Sequence, residues 1–177
     1  MNLSLFGSLS LVIEGESHTL ILEAQKDHPS ASVLVTSVVD SIKSKQARVV
    51  SWPGESEVGP FFIKGVQAEN TLFRISVEGV NIVHTGKNTE ISKETLSKLG
   101  SIDVLILPVE EGYLLPEQAM QLIKEVDPQI VLPVGTKKEE VFTLMGDKTD
   151  PVLKYKLVKS QILPDTLTVV HLTSSGE

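Results

Sequence analysis

The feature that most limits the possible folds is a change of hydrophobic rhythm halfway along the chain. Up to His84 the apolar residues come in short runs separated by turn residues. Leu9, Leu11 and Ile13 alternate with Ser10, Val12 and Glu14; Gly15-Glu16-Ser17 then makes a turn, and His18 to Leu22 runs back. Alternation around a glycine-bearing turn predicts a hairpin. Val33-Leu34-Val35 is continuously apolar, as in a strand covered on both faces. Arg48 to Trp52 reads as a strand stopped by Pro53-Gly54. Phe61 to Ala68, Thr71 to Val77 and Val80 to His84 continue the pattern, with Glu78-Gly79 as a tight hairpin turn.

Beyond His84 strands alternate with helices. Ser92 predicts an N-cap, because its hydroxyl can accept from a free first-turn amide. Ile91 and Leu96 hold the two positions of a hydrophobic staple, and Gly100 closes the helix. Val104 to Leu107 is a buried strand. Pro116 opens a second helix with Ala119, Leu122, Ile123 and Val126 on one face, and Asp127-Pro128 stops it. Ile130 to Leu132 is the next strand. Thr136 and Glu139 have capping-box spacing for a third helix ending at Gly146. Two further strands are predicted, near Val152 to Val158 and near Leu167 to Leu172. No linker, charge block or low-complexity tract divides residues 1–177. The expected architecture is one α/β domain with mixed sheets and helices outside.

Composition removes several functions. There are 16 basic and 23 acidic residues, a net charge of −7. That balance opposes nucleic acid or an anionic membrane as partner, since both are bound by neutralising phosphates. Cysteine is absent, which excludes disulfides, thiolate nucleophiles and cysteine-held zinc. No apolar run reaches the ~18 residues of a membrane span. Met1-Asn2-Leu3-Ser4 lacks the basic run of a secretory signal, so the expected address is the cytoplasm.

Several phrases, taken in order, resemble one family. They are Leu34-Val35-Thr36, Trp52-Pro53-Gly54-Glu55-Ser56-Glu57-Val58, Ile63-Lys64-Gly65-Val66, Asn70-Thr71-Leu72-Phe73, Ile82-Val83-His84-Thr85-Gly86, Ile102 to Val109, and Ile130-Val131-Leu132-Pro133. Leu163-Pro164-Asp165 before a terminal strand fits too. The set resembles the metallo-β-lactamase fold, in its short branch similar to ascorbate-6-phosphate lactonase. The resemblance implies a four-layer α/β/β/α sandwich with a metal site at one edge, between the two sheets. Family members hold metal ions there through His and Asp, and the metal turns bound water into a nucleophile.

The ligand set that the resemblance implies is missing. The family motif Thr-His-x-His-x-Asp-His falls on residues 36–42. There Ser37, Val39, Ser41 and Ile42 occupy the ligand positions. Lys87 stands at the bridging Asp, and Gly135 at the late His. Valine and isoleucine cannot coordinate, and an ammonium opposes a dication. The expectation is no metal and no cofactor. Thr36, Asp40, Glu55 and His84 are the candidate cleft residues. Lys87 either supplies one positive charge to Asp40, Glu55 or Glu57, or sits on an exposed loop between Gly86 and Asn88.

Other candidates are weaker. His18, His28 and His171 read as structural, and no Gly-x-Ser-x-Gly elbow is present. Ser37 could be a nucleophile with His84 as base, or the cap of a short helix over residues 38–45. Trp52 is expected in the core, or else as an interface anchor. Phe61 and Phe62 should point to opposite faces, the outward ring available for an oligomer contact. Two functional readings stand open. One is a non-catalytic scaffold or binding protein, pairing with itself or with an active relative, with a small-molecule ligand possible. The other is a hydrolase of small esters or lactones.

Overall fold

The computed structural model describes residues 1–174, and two mixed sheets form its centre. The first six strands are β1 (Asn2–Phe6), β2 (Ser10–Glu14), β3 (Thr19–Leu22), β4 (Val33–Val35), β5 (Arg48–Val50) and β6 (Gly54–Val58). β7 (Phe61–Gln67), β8 (Thr71–Val77) and β9 (Val80–His84) follow as a meander. Then come α1 (Lys93–Ser97), β10 (Val104–Pro108), α2 (Pro116–Val126), β11 (Ile130–Val134) and α3 (Lys138–Met145). β12 (Lys154–Lys156) and β13 (Thr168–Val169) end the fold. The first sheet runs β12-β1-β2-β3-β4-β5; the second runs β13-β11-β10-β9-β8-β7-β6. β3, β4 and β5 are mutually parallel, and so are β9, β10, β11 and β13.

Strand alternation builds the core. Leu3, Leu11, Ile13, Leu20 and Val35 of the first sheet face Phe61, Phe73, Ile75, Ile106 and Leu132 of the second. The opposite face of the second sheet offers Val83, Leu105, Leu107 and Val131, and the helices cover them with Leu96, Ala119, Leu122, Ile123 and Val141. α1 starts as predicted, with the Thr95 amide donating to Ser92 Oγ at 3.1 Å. α2 starts at Pro116 and stops at Asp127, which turns to φ 49°. Glu78 and Gly79 both take positive φ, as a tight hairpin on a twisted sheet requires.

Several expectations need correction. The helix over residues 38–45 does not form. Asp40 adopts φ 54°, which breaks a right-handed helix, and the stretch from Thr36 to Ala47 is irregular. This coil takes the place of a helix over the first sheet, pressing Ile42 and Ala47 onto Ile21, Ala24 and Leu34. The Thr136 cap does not form either: its amide donates to Glu110 at 3.3 Å, and Lys137 takes the cap position. Trp52 is 61% exposed, because it rounds the corner between two edge strands, β5 and β6. Phe61 is buried and Phe62 half-buried, as alternation predicts. β1 and β6 lie outside the predicted set.

Candidate functional site

The carboxyl ends of the parallel strands from both sheets meet at one rim. Polypeptide leaving such ends changes direction, which makes the rim of an open α/β sheet the usual place for a ligand. Here β3 delivers Glu23, β4 delivers Thr36 and Ser37, and β9 ends at His84 with Gly86 and Lys87 just beyond. β10 leads to Glu110 and Tyr113, and β11 to Gly135.

Glu23 is the centre of this meeting. It is 2% exposed and holds φ 51°, a conformation uncommon for a side chain of this size. Ser37 holds its carboxylate twice: the amide donates to Oε2 at 3.2 Å and the hydroxyl to Oε1 at 2.8 Å. The Tyr113 hydroxyl lies 3.5 Å from Oε1. The Glu23 carbonyl accepts from Ser10 Oγ at 2.9 Å and from the Gln25 amide at 3.2 Å. Burial pushes the Glu23 carboxyl above the ordinary glutamate range, while the Ser37 donors, Tyr113 and the Lys87 charge pull it back.

Ser37 joins the two sheets. Its Oγ accepts the Lys87 amide at 2.8 Å, and its carbonyl accepts the Thr71 amide at 3.1 Å. The chain comes so close at Gly86 (φ 65°) that a Cβ there would lie 2.5 Å from the Ser37 Cβ and 2.8 Å from the Thr71 carbonyl. Only glycine fits. Gly135 is similar: a Cβ would sit 2.7 Å from the Val109 carbonyl oxygen.

His84 lies beneath, 1% exposed, with Nδ1 3.9 Å from Glu23 Oε2. Burial drives its pKa down to about 3, so the ring is neutral and the contact is not an ion pair. The Gly86 amide donates to Nδ1 at 3.0 Å, which puts the ring proton on Nε2. Nε2 is buried and has no partner among the described residues.

Above Glu23 a polar cleft of about 230 Å³ is lined by Gln25, Thr36, Val38, Ser41, Lys87 and Tyr113. Thr36 and Ser41 share a hydroxyl hydrogen bond of 2.9 Å, and the Lys87 ammonium lies 5.9 Å over the Tyr113 ring. Burial, then the charges of Glu23 and Glu110, push the Tyr113 hydroxyl's pKa up, so it remains a proton donor.

The model of one protein family, described as "Beta-lactamase superfamily domain", matches residues 11–135. This chain belongs to the beta-lactamase superfamily. Solved structures agree on the fold. A metallo-β-lactamase superfamily protein from Thermotoga maritima is 22% identical, covers 97% of this chain and 98% of its own, and superposes with a TM-score of 0.77. A metallo hydrolase from Ignicoccus hospitalis is 13% identical, with coverages of 88% and 98% and a TM-score of 0.64. A metallo-β-lactamase fold protein from Bacillus subtilis is 10% identical, with coverages of 99% and 97% and a TM-score of 0.64. No curated protein matches the sequence significantly.

The superfamily implies metal ions, but the residues at this rim do not fit them. Among the described residues, no group of three His, Asp, Glu or Cys side chains is placed to hold an ion. A catalytic zinc site needs about three protein ligands. Glu23, His84 and Glu110 are the candidates at the rim, and they do not converge as a ligand group. The Glu23 oxygens are held by Ser37, and His84 Nδ1 accepts from Gly86. The Lys87 ammonium adds a like charge for any cation.

The positions read from the sequence are only partly gathered here. Thr36, Ser41 and Lys87 line the cleft, Ser37 is buried under it, and His84 lies deeper. Gly135 contributes backbone: its amide donates to the Ser8 carbonyl at 2.8 Å. Val39 is half-buried, and Asp40 is exposed on the coil. Ile42 belongs to the apolar cluster on the outer face of the first sheet, not to the site. Glu55 is also misplaced by the sequence reading. It is exposed on edge strand β6, with Lys64 at 3.9 Å, because β6 pairs only with β7 at the far side of the second sheet. Glu57 is exposed on the same strand. Ser37 caps no helix, and its hydroxyl donates to Glu23 and accepts the Lys87 amide rather than pairing with His84. The acid beside Lys87 is Glu23, which the sequence reading missed. The available signal was a charged residue directly after Leu20-Ile21-Leu22, with no turn former between.

Proposed function

We propose that this chain is a non-catalytic member of its superfamily, a binding protein rather than a metal-dependent hydrolase. The observation that carries the reading is that, among the described residues, no group of three His, Asp, Glu or Cys side chains converges to hold an ion. Both oxygens of the rim's buried carboxylate are engaged by this chain's own donors. A carboxylate oxygen accepts more than one partner, so these bonds orient Glu23 rather than block it, and what a metal lacks here is further ligands. The cleft above it stays open and polar, and suits a small ligand. Copies of this chain, or an active relative, are its proposed protein partners, and the cytoplasm is its proposed address.

Metal analysis of protein purified without chelator, followed by zinc and manganese titration, tests the reading. The expected result is far less than one equivalent of metal per chain, and no turnover of ester, lactone or phosphodiester substrates above buffer. About one equivalent of tightly held metal, with turnover lost to chelator, would overturn it. The competing reading, a hydrolase of small esters or lactones, draws on the open cleft and on the Ignicoccus neighbour, named a metallo hydrolase.

A further inference from the structure

A second hollow adjoins the cleft. It measures about 420 Å³ and is lined by Phe6, Gly7, Ser8 and Leu9 at the β1–β2 turn, with Lys26 and Glu110 opposite. Gln25 lines both spaces and is the one residue that they share. The two differ in chemistry. The outer hollow offers the Phe6 ring, braced edge-on by His28 at 5.1 Å and topped by the Lys26 ammonium at 5.0 Å. The inner cleft offers donors. Lys87 has no carboxylate within 4.0 Å among the described residues, leaving its ammonium free for a ligand. The Tyr113 hydroxyl makes only a contact of 3.5 Å to Glu23, at the limit of hydrogen bonding. Ser41 and Thr36, hydrogen-bonded to each other, leave one hydroxyl proton for the cleft. Glu23 lies at the floor of the cleft, each of its oxygens accepting a hydrogen bond from Ser37.

We infer that the joined hollows bind one small organic monocarboxylate, its head group on Lys87, Tyr113 and Ser41 and its apolar body against Phe6 and Leu9. The inference rests on the reading of this rim as a metal-free binding site. Donors converging on one space select an acceptor-rich group, and a free ammonium favours an anion. A dianion such as a phosphate monoester is disfavoured, because Glu23 below and Glu110 beside the groove repel the second charge. The combined space suits a small molecule, for which pockets of about 300–1,000 Å³ are usual, rather than a folded partner. An apolar body fits the outer hollow because Phe6 and Leu9 line it.

Calorimetric titration of the chelator-treated full chain tests this. Octanoate, octanamide, acetate and octyl phosphate form the ligand series. Octanoate should bind saturably at one per chain. Octanamide, which lacks the charge, should bind about tenfold more weakly, a difference of about 1.4 kcal/mol. Acetate and octyl phosphate should also be weaker. Lys87→Met should weaken octanoate about tenfold and leave octanamide unchanged. Phe6→Ser should weaken octanoate and leave acetate unchanged. Lys87 and the edge of Phe6 reach solvent, so neither change threatens folding, and the ligand series needs no variant at all. No saturable octanoate binding would overturn the inference alone, as would octanamide or octyl phosphate binding equally well. An unchanged octanoate affinity in Lys87→Met would do the same. Octanoate binding that appears only after zinc is added would overturn the inference together with the metal-free reading beneath it.

Discussion

The outer faces of the two sheets are covered in different ways. The second sheet carries α1, α2 and α3, whose apolar side chains interlock with Val83, Leu105 and Val131. The first sheet carries the irregular stretch from Thr36 to Ala47, with Ile42 and Ala47 as its inward anchors. A helix satisfies its own backbone and holds its shape while it packs. A coil does not, so it has to be tied at its ends. The tie here is Ser37 on Glu23, the same contact that occupies the rim. The irregular cover of the first sheet and the rim at its edge thus share one serine. The helical cover should respond to mutation as core, and the coil cover as a tethered strap.

The sharpest way to break that contrast is Glu23→Ala. It strands the Ser37 amide and hydroxyl in a buried place and should cost about 3–4 kcal/mol. Urea denaturation would measure the loss. Limited proteolysis should cut within residues 38–46 faster than in the unchanged protein, while α2 and α3 stay protected. Equal protection of the coil in both proteins would deny the tether.

Leu122→Ala on the helical side should cost about 3 kcal/mol through a cavity, without new cleavage in the coil. Stability then depends on pH through the rim's two buried groups, in opposite senses. The His84 pKa falls to about 3, so its neutral ring contributes stability that is present above its ordinary 6.5 and lost as pH falls towards 3. The Glu23 pKa is raised, so its contribution is present below the ordinary glutamate value of 4.5 and lost as pH rises through the raised value. His84→Gln should therefore flatten the acid limb of a stability–pH curve, sparing about 2 kcal/mol near pH 5. An unchanged acid limb would mean that the imidazole is not held neutral.

The smallest effect expected is that of Ile42→Ala, about 1–2 kcal/mol, because an irregular cover can settle into the space left behind. A loss as large as that of Leu122→Ala would erase the distinction between strap and core.

Much of the fold was legible. Period-two alternation marked β2, β3 and the β7–β9 meander, and Ser92, Pro116 and Gly146 marked helix ends through local backbone chemistry. Such signals act over a few residues. What was not legible depends on distant neighbours. Trp52 is apolar and follows a strand, yet the corner it rounds belongs to the edges of two sheets. Glu55 was placed near the cleft, but the register of β6 carries it away. Tyr113 reaches Glu23 across 90 positions of sequence, and no local pattern announces that.

From sequence alone it follows that Ser37, Val39, Ser41, Ile42, Lys87 and Gly135 lack the His and Asp chemistry of a dinuclear centre, because coordination requires particular side-chain atoms and those atoms are absent. Which group lies buried at the rim was decided by tertiary structure. Glu23 is an ordinary acidic residue until β3 and β4 align, the Ser37 donors close over it, and solvent is withdrawn. Burial and hydrogen bonding are properties of an environment, and that environment exists only once the two sheets have met.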